Sequence, residues 1–145
     1  MPYWRLFYHF VWGTKNGEPL IESGWENSLH SVIAAKAAKL EAMVHAVGGT
    51  DNHIHLVASV PPKVALSTFI GQVKGNSSHW VNNDLNPGYQ FAWQSEYGVI
   101  SFGGKQLDVV VRYAKNQREH HAGGKTIPMM EWVAPSQMGG AEPPP

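Results

Sequence analysis

Apolar positions along this chain alternate between period two and period 3.6, and the changes of period mark out its elements. Residues 3–14, YWRLFYHFVWGT, are aromatic and β-branched with no helix cap, which predicts a first strand from Tyr3 to Thr14. Trp25, Leu29, Val32, Ile33 and Leu40 then recur at helical spacing, so an amphipathic helix is expected to follow, starting near Pro19. MVHAVGGTDNHIHLVASV reads as two strands joined by the turn residues Gly-Gly-Thr-Asp-Asn. After Pro61-Pro62, helical spacing returns at Leu66, Phe69, Ile70, Val73 and Trp80, and Asn86-Pro87-Gly88 stops it. FAWQSEYGVISF is strand-like again. Gly103-Gly104 precedes a third helix whose buried face is read as Leu107, Val110, Val111 and Ala114. The order β-α-β-β-α-β-α predicts an α+β, ferredoxin-like antiparallel sheet with helices on one face and one additional C-terminal helix. A single domain over 1–133 is expected, with a disordered tail over 134–145.

Alternation along the third strand separates His53, His55, Val57 and Ser59 from Ile54, Leu56, Ala58 and Val60. The second set suits a core. The first places two imidazoles two pleats apart on the opposite face, close enough to share one ion. His-x-His is a weak signal by itself and equally describes two packed histidines. Val57 breaks the His-x-His-x-His of a histidine-triad hydrolase, and Asp51 is the sole adjacent acid for a zinc-hydrolase set.

Composition narrows the chemistry. The 145 residues include no cysteine, which excludes disulfides, zinc-thiolate sites and iron–sulfur clusters. No signal-peptide pattern or run of about 18 apolar residues is present, so a soluble, cytoplasmic protein with no membrane association is expected. Net charge is zero, which leaves only local patches for a polyanion. One such patch is Lys105, Arg112, Lys115, Arg118 and Lys125 against Asp108 and Glu119, with His120 and His121 beside it. A solvated helix face would look the same.

On that third helix Tyr113 and Gln117 lie four residues apart and share a face, which the sequence reading sets apart from the apolar one. The tyrosine fits either a packing role or chemistry. Its neighbours Arg112, Lys115, Asn116 and His120 suit a phosphate chain. His120 and His121 diverge by about 100° on a helix and cannot easily meet at one ion. His9, His30, His45 and His79 are assigned structural roles, Trp4, Trp12, Trp25 and Trp80 fit packing, and Trp93 is open between packing and base stacking.

These pieces together resemble the single-tyrosine HUH endonucleases of insertion sequences, including the repeat-associated tyrosine transposases. DNHIHLV is similar to the HUH motif, and YAKNQREHH to the helical motif with a tyrosine nucleophile. FVWGTKN, VKGNSSHWVN and WQSEYGVISF are similar to other segments of the family in the same order. The resemblance implies a metal-dependent endonuclease that cleaves and rejoins single-stranded DNA, recognises hairpin-containing element ends and uses no nucleotide cofactor. Tyr113 would be the nucleophile, and His53, His55 and Gln117 would hold Mg or Mn. DNA contacts fall to Lys74, Arg112, Lys115, Asn116 and Arg118, and His120 is a possible auxiliary. A homodimer, nucleoid-associated when bound to DNA, is also implied, with each tyrosine helix completing the partner's histidine site. A free tyrosine has a pKa of about 10, so such a site must favour its phenolate or take its proton during attack. Two other classes remain open from the residues: a DNA-binding regulator of the same fold, and a metal phosphoesterase that uses water. The neutral net charge and Glu96 depart from the habit of DNA-handling proteins.

Overall fold

The computed structural model describes residues 3–117. Strand β1 (Phe7–Gly13) leads through extended chain to helix α1 (Glu26–Lys39), the hairpin β2 (Met43–Gly49) and β3 (His53–Ser59), helix α2 (Leu66–His79), strand β4 (Gly98–Phe102) and helix α3 (Leu107–Lys115). The sheet order is β2-β3-β1-β4 and every pair is antiparallel, as a ferredoxin-like arrangement requires. Arg118, His120 and the expected tail over 134–145 lie outside the described residues.

Three boundaries differ from the sequence expectation. Helix α1 begins at Glu26 and not near Pro19. The chain over 18–22 stays outside the helix, with Ile21 buried and its N–H donating to the Asp51 carbonyl. The strand β1 starts at Phe7, so its predicted first four residues are outside the ladder. The strand expected over FAWQSEYGVISF is shorter too: only Gly98–Phe102 pairs with β1 as β4, while Trp93 makes an isolated bridge to Thr14. Beyond α2 the chain continues in a π-helical turn, Trp80–Leu85, and stops where Asn86 takes a left-handed conformation before Pro87. That stop lies where the Asn-Pro-Gly sequence places it.

The β3 strand is covered on both sides, and all seven of its residues are buried. Ile54, Leu56 and Ala58 join Phe10 and Trp12 of β1 and pack under α1 and α2, through Leu29, Ile33, Phe69 and Val73. The other face is smaller. There Ala46 and Val57 meet Val110 and Ala114 of α3. Small residues on β2 let this helix come close: a Cβ at Gly48 would overlap the Ala114 carbonyl oxygen. Gly48 stands opposite His55 in the ladder, so this close approach is what sets α3 beside the strand histidines.

Gly48→Ala is therefore expected to destabilise the fold by about 1–3 kcal/mol through overpacking. Its effect should concentrate on α3, and native-state hydrogen exchange is the measurement. Faster exchange in 107–115 with the β1–β3 amides still protected is the expected result, and unchanged α3 protection would show that close docking is not needed.

Candidate functional site

Antiparallel register carries three residue pairs of β1 and β3 onto the α3 side: His53 faces Gly13, His55 faces Val11, and Val57 faces His9. His53 and His55 are both buried, with ring centroids 5.0 Å apart. Helix α3 brings Tyr113 to them; its ring centroid lies 5.9 Å from that of His55 at a steep angle. Tyr113 is only 3% exposed and Gln117 only 1%. This corrects the expected division of α3 into two faces. Val110, Tyr113, Ala114 and Gln117 follow an i, i+3, i+4, i+7 spacing and form one buried stripe, in which the polar end continues the apolar end.

The protonation pattern of His53 follows from its neighbours. The Asn52 amide nitrogen donates to the Gly17 carbonyl at 3.2 Å, which turns its oxygen toward His53. That oxygen lies 2.9 Å from His53 Nδ1 and also accepts from the Thr50 hydroxyl at 3.1 Å. The Thr50 oxygen is itself 2.9 Å from Nδ1. Nδ1 therefore carries the proton, and in the neutral ring Nε2 carries the lone pair. The Gln117 amide is oriented in a similar way: its nitrogen donates to the Tyr113 carbonyl at 2.6 Å, and its oxygen faces His53 Nε2 at 3.4 Å.

Two lone-pair atoms thus face one another across a short gap. A divalent cation would relieve that opposition, because ligand atoms about 2.1 Å from one ion stand ~3 Å apart at right angles. Among the described residues no three His, Asp or Glu side chains gather as a metal set, so a third protein ligand would have to be the amide oxygen. Two imidazoles and an amide suit Mn and admit Mg. The residues present fit the ion expected from the sequence.

His9, assigned a packing role from the sequence, belongs to this cluster. It is buried on β1, and its Nε2 lies 2.7 Å from His55 Nδ1. Only the cross-strand register reveals this, because the two residues are diagonal neighbours 46 positions apart in the chain. His45 also turns to the α3 side, where a register shift between Val44 and Ala46 lets its Nε2 sit 2.8 Å from the Ser59 hydroxyl. Burial holds the His45 pKa below the ordinary imidazole value.

The expected DNA contacts divide. Arg112, Lys115 and Asn116 are exposed on the outer side of α3. Lys115 and Asn116 border a cleft of about 370 Å³ that also reaches Gly48, His30 and the first turn of α1. Lys74 departs from the expectation. It is 9% exposed, and its ammonium donates to the carbonyls of Gln94 at 2.6 Å and Glu96 at 3.0 Å. Burial lowers its pKa, with the Glu96 charge opposing that shift. Trp93 is half-buried: its indole donates to the Ser77 hydroxyl, and its ring meets Trp12 and Phe91 edge-on. Lys74, Ser77 and Asn82 of the second helical segment thus clasp residues 91–96, with Asn82 exchanging two hydrogen bonds with Phe91.

Comparison with known proteins agrees with this architecture. A family model described as "Transposase IS200 like" matches residues 2–117. Transposases for insertion sequence element IS200 from Salmonella typhimurium and from Salmonella typhi are each 25% identical over 129 residues, covering 86% of this chain and 84% of theirs. A crystal structure of a candidate transposase from Deinococcus radiodurans R1 superposes with a TM-score of 0.62 at 16% identity, over 86% of this chain and 95% of that one. A REP-associated tyrosine transposase bound to a REP hairpin superposes with a TM-score of 0.61 at 15% identity, over 87% of this chain and 76% of that one.

Replacing Lys74 by Met keeps the length of the side chain and removes the donor to both carbonyls. A loss of about 1–3 kcal/mol is expected, read as a lower urea midpoint. Weakened DNA binding with an unchanged midpoint would return Lys74 to the nucleic-acid surface.

Proposed function

Because the chain belongs to the IS200-like transposase family, we propose that it cleaves and rejoins single-stranded DNA with Tyr113 as nucleophile and with His53, His55 and Gln117 as ligands of Mg or Mn. The observation that carries this reading is the convergence of those four side chains between α3 and β3 of one chain. Burial alone suits a packed tyrosine. A packed tyrosine has no need of two imidazoles and an oriented amide oxygen beside it.

The phenolic oxygen of Tyr113 attacks the phosphorus, forming a 5'-phosphotyrosine as the P–O3' bond breaks. The phenol gives up its proton and the departing 3' oxygen gains one. A divalent ion, when bound, supplies Lewis-acid stabilisation of charge on the phosphate oxygens. Thr50 and Asn52 hold the His53 ring in its ligand tautomer, and the Gln117 back-bond to Tyr113 ties the ligand to the nucleophile's own turn. Covalent attachment conserves the phosphodiester bond energy, so a second 3'-hydroxyl can reverse the step and join a new strand. This favours strand transfer over simple hydrolysis.

The exposed Arg112, Lys115 and Asn116 offer phosphate contacts on the outer side of the same helix, next to the cleft at Gly48. A local patch of this kind answers the neutral net charge. The solved relative bound to a REP hairpin supports a folded hairpin as the recognised form of DNA. Helix α3 lies on the sheet of its own chain, which favours action in cis; a homodimer that exchanges the helices is the alternative arrangement.

Incubating the protein with single-stranded hairpin DNA and Mn is expected to give a covalent adduct on a denaturing gel, absent in Tyr113→Phe and in His53→Ala/His55→Ala. Cleavage without an adduct, retained by Tyr113→Phe, would identify a phosphoesterase that uses water. Binding with neither product would identify a regulator. Mixing the tyrosine variant with the double-histidine variant should not restore the adduct, whereas restoration would establish exchange between subunits.

Arg112→Ala/Lys115→Ala is expected to weaken DNA binding and to lower the slope of log affinity against log salt by about 1.4, if each cation meets one phosphate. An unchanged slope in a fluorescence titration would move the DNA path off α3.

A further inference from the structure

A buried imidazole is a costly way to fill space, since an aliphatic side chain at the same site would carry no polar atoms to satisfy. His9 is such a residue. It is 1% exposed on a central strand, with Val57 opposite it on β3 and Ile100 opposite it on β4. Its Nε2 reaches His55 Nδ1 at 2.7 Å, with ring centroids 4.9 Å apart. That contact is on the Nδ1 side of His55, so His9 engages the nitrogen opposite the one available as a ligand.

We propose that His9 is the positioning residue of His55, accepting its Nδ1 proton and thereby holding the Nε2 lone pair toward α3. This rests on the metal reading given above. His53 provides the parallel within the same site: its Nδ1 proton is held by Thr50 and Asn52, and its Nε2 is left facing Gln117. Both rings are thus gripped at Nδ1, one from the hairpin turn and the other from the neighbouring strand. The two grips differ in kind. Asn52 and Thr50 are fixed by further hydrogen bonds of the turn, whereas His9 can accept from His55 only as the tautomer with its own proton on Nδ1. His55 is therefore oriented through a partner whose own proton position matters, and replacing His9 should loosen the ligand without removing it.

Two measurements on the full chain test this. Long-range proton–nitrogen NMR at about pH 8, above the ordinary imidazole range, reads the tautomer of His55 with no metal added. His55 is expected as the Nδ1–H form in the parent and as a mixture or the Nε2–H form in His9→Phe, which keeps a ring and removes the acceptor. Mn titration followed by electron paramagnetic resonance is expected to show affinity reduced by about 10- to 100-fold in His9→Phe. His9→Gln, whose amide oxygen can accept the same proton, should recover part of it, and a role in packing alone would change thermal stability without this pattern.

An Nε2–H tautomer in the parent, or parent-like Mn affinity in a folded His9→Phe, overturns the proposal. Failure of the metal reading looks different: the parent and His53→Ala/His55→Ala would then take up Mn equally weakly, while the Nδ1–H tautomer of His55 and its loss in His9→Phe would still report the positioning contact. Should His9→Phe not fold, His9→Gln carries both measurements, with a retained Nδ1–H tautomer and Mn affinity between the parent and the double-histidine variant as the supporting result, and an Nε2–H tautomer as the opposing one.

Discussion

The burial of β3 on both faces is the constraint from which the site follows. A strand covered on one side by α1 and α2 and on the other by α3 has no wet face on which to place a polar residue. Ile54, Leu56 and Ala58 meet this condition by being apolar. His53 and His55 meet it by hydrogen bonding, because an unsatisfied buried polar atom costs about 1–3 kcal/mol. Thr50, Asn52 and His9 are therefore needed for the fold to tolerate the histidines. The same contacts orient the rings, so the demands of burial and of the proposed ligand geometry are met by one set of bonds.

Helix α3 is held by different means from the other two. The aromatic core lies under α1 and α2, whereas α3 rests on a shelf of small residues, Ala46 and Gly48, with Val57 beside them. Only such a shelf lets a helix backbone come near enough for Tyr113 and Gln117 to reach side chains that stand on the strand. Val110 and Ala114 provide the apolar contact, and the next turn of the same stripe presents the polar pair.

Period two in residues 53–60 and the turn at 48–52 made both the hairpin and the face of the histidines legible in the sequence. The spacing of Tyr113 and Gln117 gave their common face, but not its burial. Reading that face as separate from Val110 and Ala114 assumed that polar residues point away from a core, and here the core on the α3 side is itself polar at one end. His9 was not legible because no local pattern shows which β1 residue lies diagonal to His55. The burial of Lys74 was not legible for a related reason. A cation within a segment similar to DNA-handling proteins looks like a phosphate contact, yet VKGNSSHWVN and WQSEYGVISF close on each other through Lys74, Ser77 and Trp93. Gly13 and Lys15 of the FVWGTKN segment bond to the same stretch, at Gln94 and Ala92. These three segments therefore build the clasp on the far side of the sheet.

That separation bears on how a buried tyrosine would meet a polymer. Under the proposed chemistry, Tyr113 at 3% exposure would need access to a phosphate before it could react. An isolated nine-residue helix is marginal in water, so α3 owes its stability to its contact with the sheet, where the buried apolar cluster is, among the described residues, the smaller of the two. The clasp and the aromatic core, which fix the sheet, lie on the opposite face and do not depend on it. Displacing α3 thus exposes a small apolar patch and breaks the polar bonds of the site, whereas moving α1 or α2 would open the main core.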